Sequence, residues 1–273
     1  MDFKAVTAEL MSAGYRRAAA RAKIAHDVVL SAIRAAGMKE RITIKGGVVM
    51  SGMTKAVRRA TMDMDADFVR YSLSDDAIEK FVRKMNAHSD CTIELDGPIA
   101  DLRQQEYRGK RIYLRIADEH GSKVLTKVDL GVHAKMEVKQ RDFKFDIVAG
   151  DKGVRLLANS KEQIFVEKLK SLLRLGTLSS RYKDVYDMYY LIGKMNRAVF
   201  RAYLGLYIYR DPKMRERSPS DIAARLRDVF SDRTFRRQVR NRKFAWLDVS
   251  SEAATSAIVD FILKAKVRAN END

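Results

Sequence analysis

The sequence predicts an α+β protein, with a mixed α/β segment over residues 1–155 and an all-helical segment over 156–273. Three observations lead there. Between residues 41 and 148, short runs alternate apolar and polar side chains with a period of two, and turn residues punctuate them. From Ser160 onward the apolar residues fall at helical spacing instead, beginning with Ile164, Val166, Leu169, Leu172 and Leu173. Inside one alternating run stands Asp63-Met64-Asp65, downstream of Lys45-Gly46-Gly47 and followed by Asp67. On a strand, residues i and i+2 share a face, so Asp63 and Asp65 project together.

Taken in order, residues 7–37 carry Ala, Ile, Val and Leu at helical spacing and predict one or two helices. Residues 41–45 form a short strand ending at the glycine pair. Residues 48–57 form a helix that returns the chain to a strand over 61–71. Ser74-Asp75-Asp76 starts a helix, since a serine caps free backbone N–H groups and acids favour the first turn. Strands follow at 91–95, 111–117, 123–132 and 143–148, with the boundary between the two halves at 149–160. Later helices cover 185–192, 222–230 and 253–267. Residues 210–219 hold two of the three prolines and read as an exposed loop. No internal repeat or low-complexity tract interrupts this order.

Composition bounds the function. A chain of 273 residues, 46% hydrophobic and 33% charged, can bury a full core. No apolar run approaches the roughly 18–20 residues of a membrane span, and the N-terminus lacks the apolar core of a signal peptide. The single cysteine, Cys91, excludes an internal disulfide framework and fits a reducing cytoplasm. With one Cys and four scattered His, a Cys- or His-based metal site is not expected. Fifty-three Lys and Arg against 36 Asp and Glu give a formal charge of +17, which favours a polyanionic partner such as nucleic acid. The basic residues are dispersed rather than gathered on one amphipathic helix, so a membrane surface is not the expected partner.

The chemistry follows from the acids. Two carboxylates side by side repel unless a cation joins them, and Mg²⁺ takes carboxylate oxygens together with substrate phosphates. In the strand over 123–132, Leu125, Lys127 and Asp129 share one face, while Val124, Thr126, Val128 and Leu130 share the other. Placed beside the Asp63 strand, Asp129 completes three carboxylates able to hold two Mg²⁺ ions. One ion activates an attacking hydroxyl; the other clamps a triphosphate. A lone Asp-X-Asp is usually surface decoration, and a lone Gly-Gly is usually a turn. The ordered series of strand, Gly-Gly, helix, Asp-X-Asp strand and later strand Asp is what points to nucleotidyl transfer.

Lys45-Gly46-Gly47 followed by Arg59-Ala60-Thr61-Met62-Asp63-Met64-Asp65 resembles the first signature of the DNA-polymerase-β-type nucleotidyltransferases, and more narrowly of the AbiEii/AbiGii toxin family that includes the MenT toxins. Val128-Asp129-Leu130-Gly131 resembles that family's third-carboxylate strand. Phe165-Val166-Glu167-Lys168-Leu169 and the segment from Ser180 to Asp187 resemble its helical motifs. The likeness spans roughly residues 42–192. It implies a nucleotidyltransferase sheet flanked by helices and a helical domain that completes the nucleotide site, with the active site between them.

The same resemblance implies Asp63, Asp65 and Asp129 as metal ligands, and Gly46, Gly47, Lys168 and Arg181 as nucleotide contacts. Lys168 and Asp184 join the three acids as catalytic residues. It further implies Mg²⁺, an NTP substrate, tRNA 3′ ends as acceptor, a cognate antitoxin and a role in toxin–antitoxin or phage-defence systems. Transfer to a protein or small molecule, and a non-catalytic RNA-binding module, are the alternative readings. Two departures stand out: Val48 replaces the Ser or Thr that commonly follows the glycine pair, and His133-Ala134-Lys135 replaces the usual Gly-Asp.

Other features have two readings each. Arg181 with Asp184 and Lys183 with Asp187 have the spacing of intrahelical ion pairs. The basic run Arg233, Arg236, Arg237, Arg240, Arg242 and Lys243 suits either a solvated face or RNA phosphates. His133 reads as a surface residue. Cys91, Trp246, Tyr186, Tyr189 and Tyr190 read as core.

Overall fold

The computed structural model describes residues 1–102, 109–135, 137–148 and 153–265. Residues 149–152 of the expected boundary and 266–267 of the last expected helix lie outside them. The chain divides into two compact units, residues 1–159 and 160–273.

The first unit is built on one mixed sheet. Its strands are β1 (Ile42–Lys45), β2 (Met64–Phe68), β3 (Thr92–Leu95), β4 (Ala100–Leu102), β5 (Gly109–Ala117), β6 (Lys123–Val132), β7 (Arg141–Phe145) and β8 (Val154–Ala158). Their spatial order is β3-β5-β6-β2-β1-β8-β7, with β4 on the free part of β5. β2 runs parallel to β6, and β1 parallel to β8; the other pairs are antiparallel. Helices α1 (Phe3–Ser12), α2 (Arg17–Ala35), α3 (Gly46–Thr54) and α4 (Asp75–Ala87) complete the unit.

Alternation decides what the sheet presents on each side. Ile42, Ile44, Met64, Ala66, Phe68, Val128 and Leu130 are all buried, and α2 and α3 pack on β1, β2, β6 and β8. Each large side chain buried this way stabilises the fold by roughly 1.5–3 kcal/mol. The intervening positions, Thr43, Lys45, Asp65, Asp67, Lys127 and Asp129, belong to the opposite, polar face. The expected strand over 61–71 is shorter than predicted, because a helical turn at Val57–Arg59 and a bend precede Met64. The helix after β1 starts at Gly46 itself rather than at 48. Ser74 caps α4 as predicted, accepting the Ala77 N–H at 3.3 Å.

The second unit is helical: α5 (Lys161–Leu175), α6 (Lys183–Leu191), α7 (Arg197–Leu204) running into a π-helical turn at Gly205–Tyr209, α8 (Pro219–Ser231), α9 (Arg233–Val239) and α10 (Ser251–Leu263). Ser160 caps α5 through the Gln163 N–H, and Ser218 and Asp221 form a reciprocal capping box on α8 with Pro219 in its first turn. The stretch 210–218 is a loop, as the prolines suggested, but only part of it is exposed: Met214 and Glu216 within it are buried.

Candidate active site

Strand register assembles the polar face. Lys45 pairs with Asp65 across β1 and β2, Asp65 with Asp129 across β2 and β6, and Asp129 with Arg111 across β6 and β5. Side chains directly opposite each other share a face, so these four residues stand abreast as cation, acid, acid, cation. One step along, Asp67 pairs with Gly131. Asp63 sits just before β2, and Lys127 lies two residues before Asp129 on the same face of β6.

Asp129, Asp63 and Asp67 each meet a different base. Arg111 grips Asp129 with both arms of its fork, Nε donating to Oδ1 at 2.7 Å and a terminal N–H to Oδ2 at 2.9 Å. This charge-assisted pair pushes the guanidinium pKa up. Lys127 Nζ lies 2.8 Å from Asp63 Oδ2, and Lys45 Nζ lies 2.9 Å from Asp67 Oδ2. Asp65 lies against the start of α3: a Cβ on Gly46 would come within 2.6 Å of Asp65 Oδ2. Gly46 also has φ near +54°, a conformation that side chains strain to adopt. A Cβ on Gly47 would collide with Thr61.

The donor chemistry suits a hard cation: three carboxylates, with Asp65 and Asp129 adjacent in register and a side-chain-free approach at Gly46. Among the described residues, no set of three His, Cys, Asp or Glu side chains is arranged to hold a metal. Asp129 and Asp63 are instead paired with Arg111 and Lys127.

Behind this face lies His26 on α2, a residue that sequence reasoning did not single out. It is buried, its ring hydrogen-bonds the Met62 backbone, and Nε2 has no partner. Burial, reinforced by Lys23, lowers its pKa to about 4. It lines a cavity of about 160 Å³ together with Tyr15, Lys23, Asp27, Lys55 and Thr61.

In the helical unit, Lys168 on α5 is flanked by two acids of α6. Its ammonium pairs with Asp184 and lies 3.0 Å from Asp187 Oδ2. Asp187 is 0% exposed and accepts the Trp246 indole N–H at 3.0 Å. Asp184 Oδ2 is buried with no hydrogen-bond partner. Arg181 precedes α6, and its backbone N–H donates to Ser179 Oγ. Arg181 and Asp184 therefore do not form the intrahelical pair their spacing suggested, because α6 begins only at Lys183.

His133 corrects a further expectation. It is buried rather than at the surface, with Nε2 at 3.0 Å from the Val138 carbonyl. Arg111, Lys127 and Trp246 are the contacts that sequence reasoning missed or left unassigned. Alternation already put Lys127 on the face of Asp129; the other two needed register and tertiary packing.

A carboxylate-bearing mixed sheet with a glycine-opened helix start is the frame of a nucleotidyltransferase. The family model for the nucleotidyl transferase AbiEii toxin of type IV toxin–antitoxin systems matches residues 28–252, and the chain belongs to that family. No curated protein matches it in sequence. Among solved structures it is similar to an antigenic nucleotidyltransferase-like protein from Paracoccidioides brasiliensis, at 13% identity and a TM-score of 0.43, covering 78% of this chain and 89% of that one. At that distance the likeness says nothing about substrate. No helix among the described residues is long and apolar enough to cross a membrane.

Proposed function

We propose that this chain is the toxin of a type IV pair that transfers a nucleoside monophosphate from an NTP to the 3′ end of tRNA, blocking translation. The observation that carries the reading is the register of β2 and β6, which sets Asp65 and Asp129 side by side within a family of nucleotidyl transferase toxins.

Asp65, Asp129 and Asp63 are the residues that would hold Mg²⁺. When bound, the ions polarise the α-phosphate and neutralise charge developing on the leaving pyrophosphate. The first backbone N–H groups of α3, at Gly46 and Gly47, face the polyphosphate as helix starts do. Lys168, Asp184 and Arg181 are assigned to the nucleotide on the family resemblance. The formal charge of +17 supports an RNA acceptor, as do the exposed arginines 233, 236, 237 and 242 around α9. A cognate antitoxin follows from the family.

The test is to incubate the protein with each labelled NTP and, separately, with tRNA, total RNA and a protein extract. Label in tRNA that disappears with Asp65→Ala supports the reading. Label in protein, or salt-sensitive RNA binding with no label anywhere, defeats it.

A further inference from the structure

An acidic cluster on a bare sheet would repel itself. Here four carboxylates, Asp63, Asp65, Asp67 and Asp129, share their face with three bases, Lys45, Lys127 and Arg111. Lys45 satisfies Asp67, which lies deeper along β2 and is not among the proposed metal ligands. Arg111 and Lys127 are different, since each holds an acid that a metal ion would need. Arg111 donates to both oxygens of Asp129, so a cation at that carboxylate competes with the fork for its charge and lone pairs. Each pair reaches solvent through one partner: Arg111 is 32% exposed beside Asp129 at 13%, and Asp63 is 50% exposed beside Lys127 at 25%. They can therefore open without unpacking the core.

We infer that Arg111 and Lys127 are exchange residues: they neutralise Asp129 and Asp63 before substrate arrives, and Arg111 then passes its guanidinium to the polyphosphate. The inference rests on the nucleotidyltransferase reading of the acids. A planar guanidinium makes the same two-armed contact to phosphate as to carboxylate, and Arg111 stands next to Asp129 in the row. Metal alone competes with the Arg111 pair, with nothing to receive the guanidinium it weakens. Metal with nucleotide supplies that receiver, so the two bind cooperatively.

Mn²⁺ affinity tests this without any turnover, measured by paramagnetic resonance of free ion with and without a non-hydrolysable NTP analogue. A charge-assisted contact is worth a factor of about ten or more in binding. Arg111→Met is therefore expected to bind Mn²⁺ alone about tenfold more tightly than the unaltered protein. The analogue should then improve Mn²⁺ affinity less than it does in the unaltered protein. Lys127→Met, which removes a more exposed pair, should show the same direction with a smaller change, and stands in if Arg111→Met does not fold. Mn²⁺ affinity unchanged or weakened in the folded variants overturns the inference. Asp129→Asn separates the two failures. If it weakens Mn²⁺ binding while Arg111→Met does nothing, the exchange role is wrong and the acids still hold metal. If it has no effect, the metal assignment has failed and the exchange role with it.

Discussion

The sheet unit and the helical unit each bring acids and bases together, but on opposite terms. On the sheet, Asp63 and Asp129 each have their own base, and each pair reaches water through one partner, Asp63 at 50% and Arg111 at 32% exposed, while Asp129 is 13% exposed. In the helical unit two acids share Lys168, whose side chain is only 11% exposed, and Asp187 is sealed and tied to Trp246. Exposed pairs contribute little to stability and exchange readily. A buried, shared pair is costly to disturb, because removing one partner strands charge in a poorly solvating interior. The first arrangement suits ligands that come and go. The second suits a fixed scaffold, even if Lys168 also meets nucleotide.

The largest expected effect separates the two directly. Asp65→Ala should lower nucleotidyl transfer on the order of a thousandfold, since several kcal/mol of charge stabilisation is lost at a factor of ten per ~1.4 kcal/mol. Its melting temperature should stay within a few degrees of the parent. A comparable loss of stability would show that the sheet acids are scaffold as well.

Lys168→Met should do the reverse, destabilising the helical unit by about 3–5 kcal/mol. Trp246, the only tryptophan, reports on that unit through fluorescence-monitored denaturation. Full stability with activity lost would instead make Lys168 purely a substrate contact.

His26 sharpens the comparison within the sheet unit. Its pKa falls from 6.5 to about 4 on folding, so between these values the unfolded chain binds more proton than the native one. Stability contributed by neutral His26 is complete above pH 6.5 and is lost as pH falls towards 4, by about 3 kcal/mol. His26→Gln should flatten that part of a pH–stability profile; an unaltered slope would place its origin elsewhere.

The smallest change expected is at Gly131, where an added Cβ would press on Asp67. Gly131→Ala should cost about 1–3 kcal/mol by crowding the Lys45–Asp67 pair, measurable by urea denaturation.

Much of this was legible in the residues. Alternation gave β6 both its faces, and Ser74 marked the start of α4. β6 lies beside β2, as expected with Asp129 next to the Asp63 strand, while their parallel direction was not foreseen. What escaped was whatever depends on partners distant in sequence. β8 fell in the stretch read as a boundary, since its five residues carry little periodicity until β1 and β7 flank them. β4 is a three-residue edge strand. The Arg111 clamp depends on β5–β6 register, and the Trp246–Asp187 bond spans 59 positions. Neither is encoded locally. His133 read as surface because its acceptor, the Val138 carbonyl, is a backbone group with no signature in the sequence.

The most direct measurement of nucleotidyl transfer is to supply the same NTP labelled at the α-phosphate or at the γ-phosphate, with tRNA as acceptor. The account predicts that α label enters the tRNA 3′ end and γ label leaves as pyrophosphate, both dependent on Asp65 and Asp129. Acceptor carrying γ label, or α label that persists in Asp65→Ala, would contradict it.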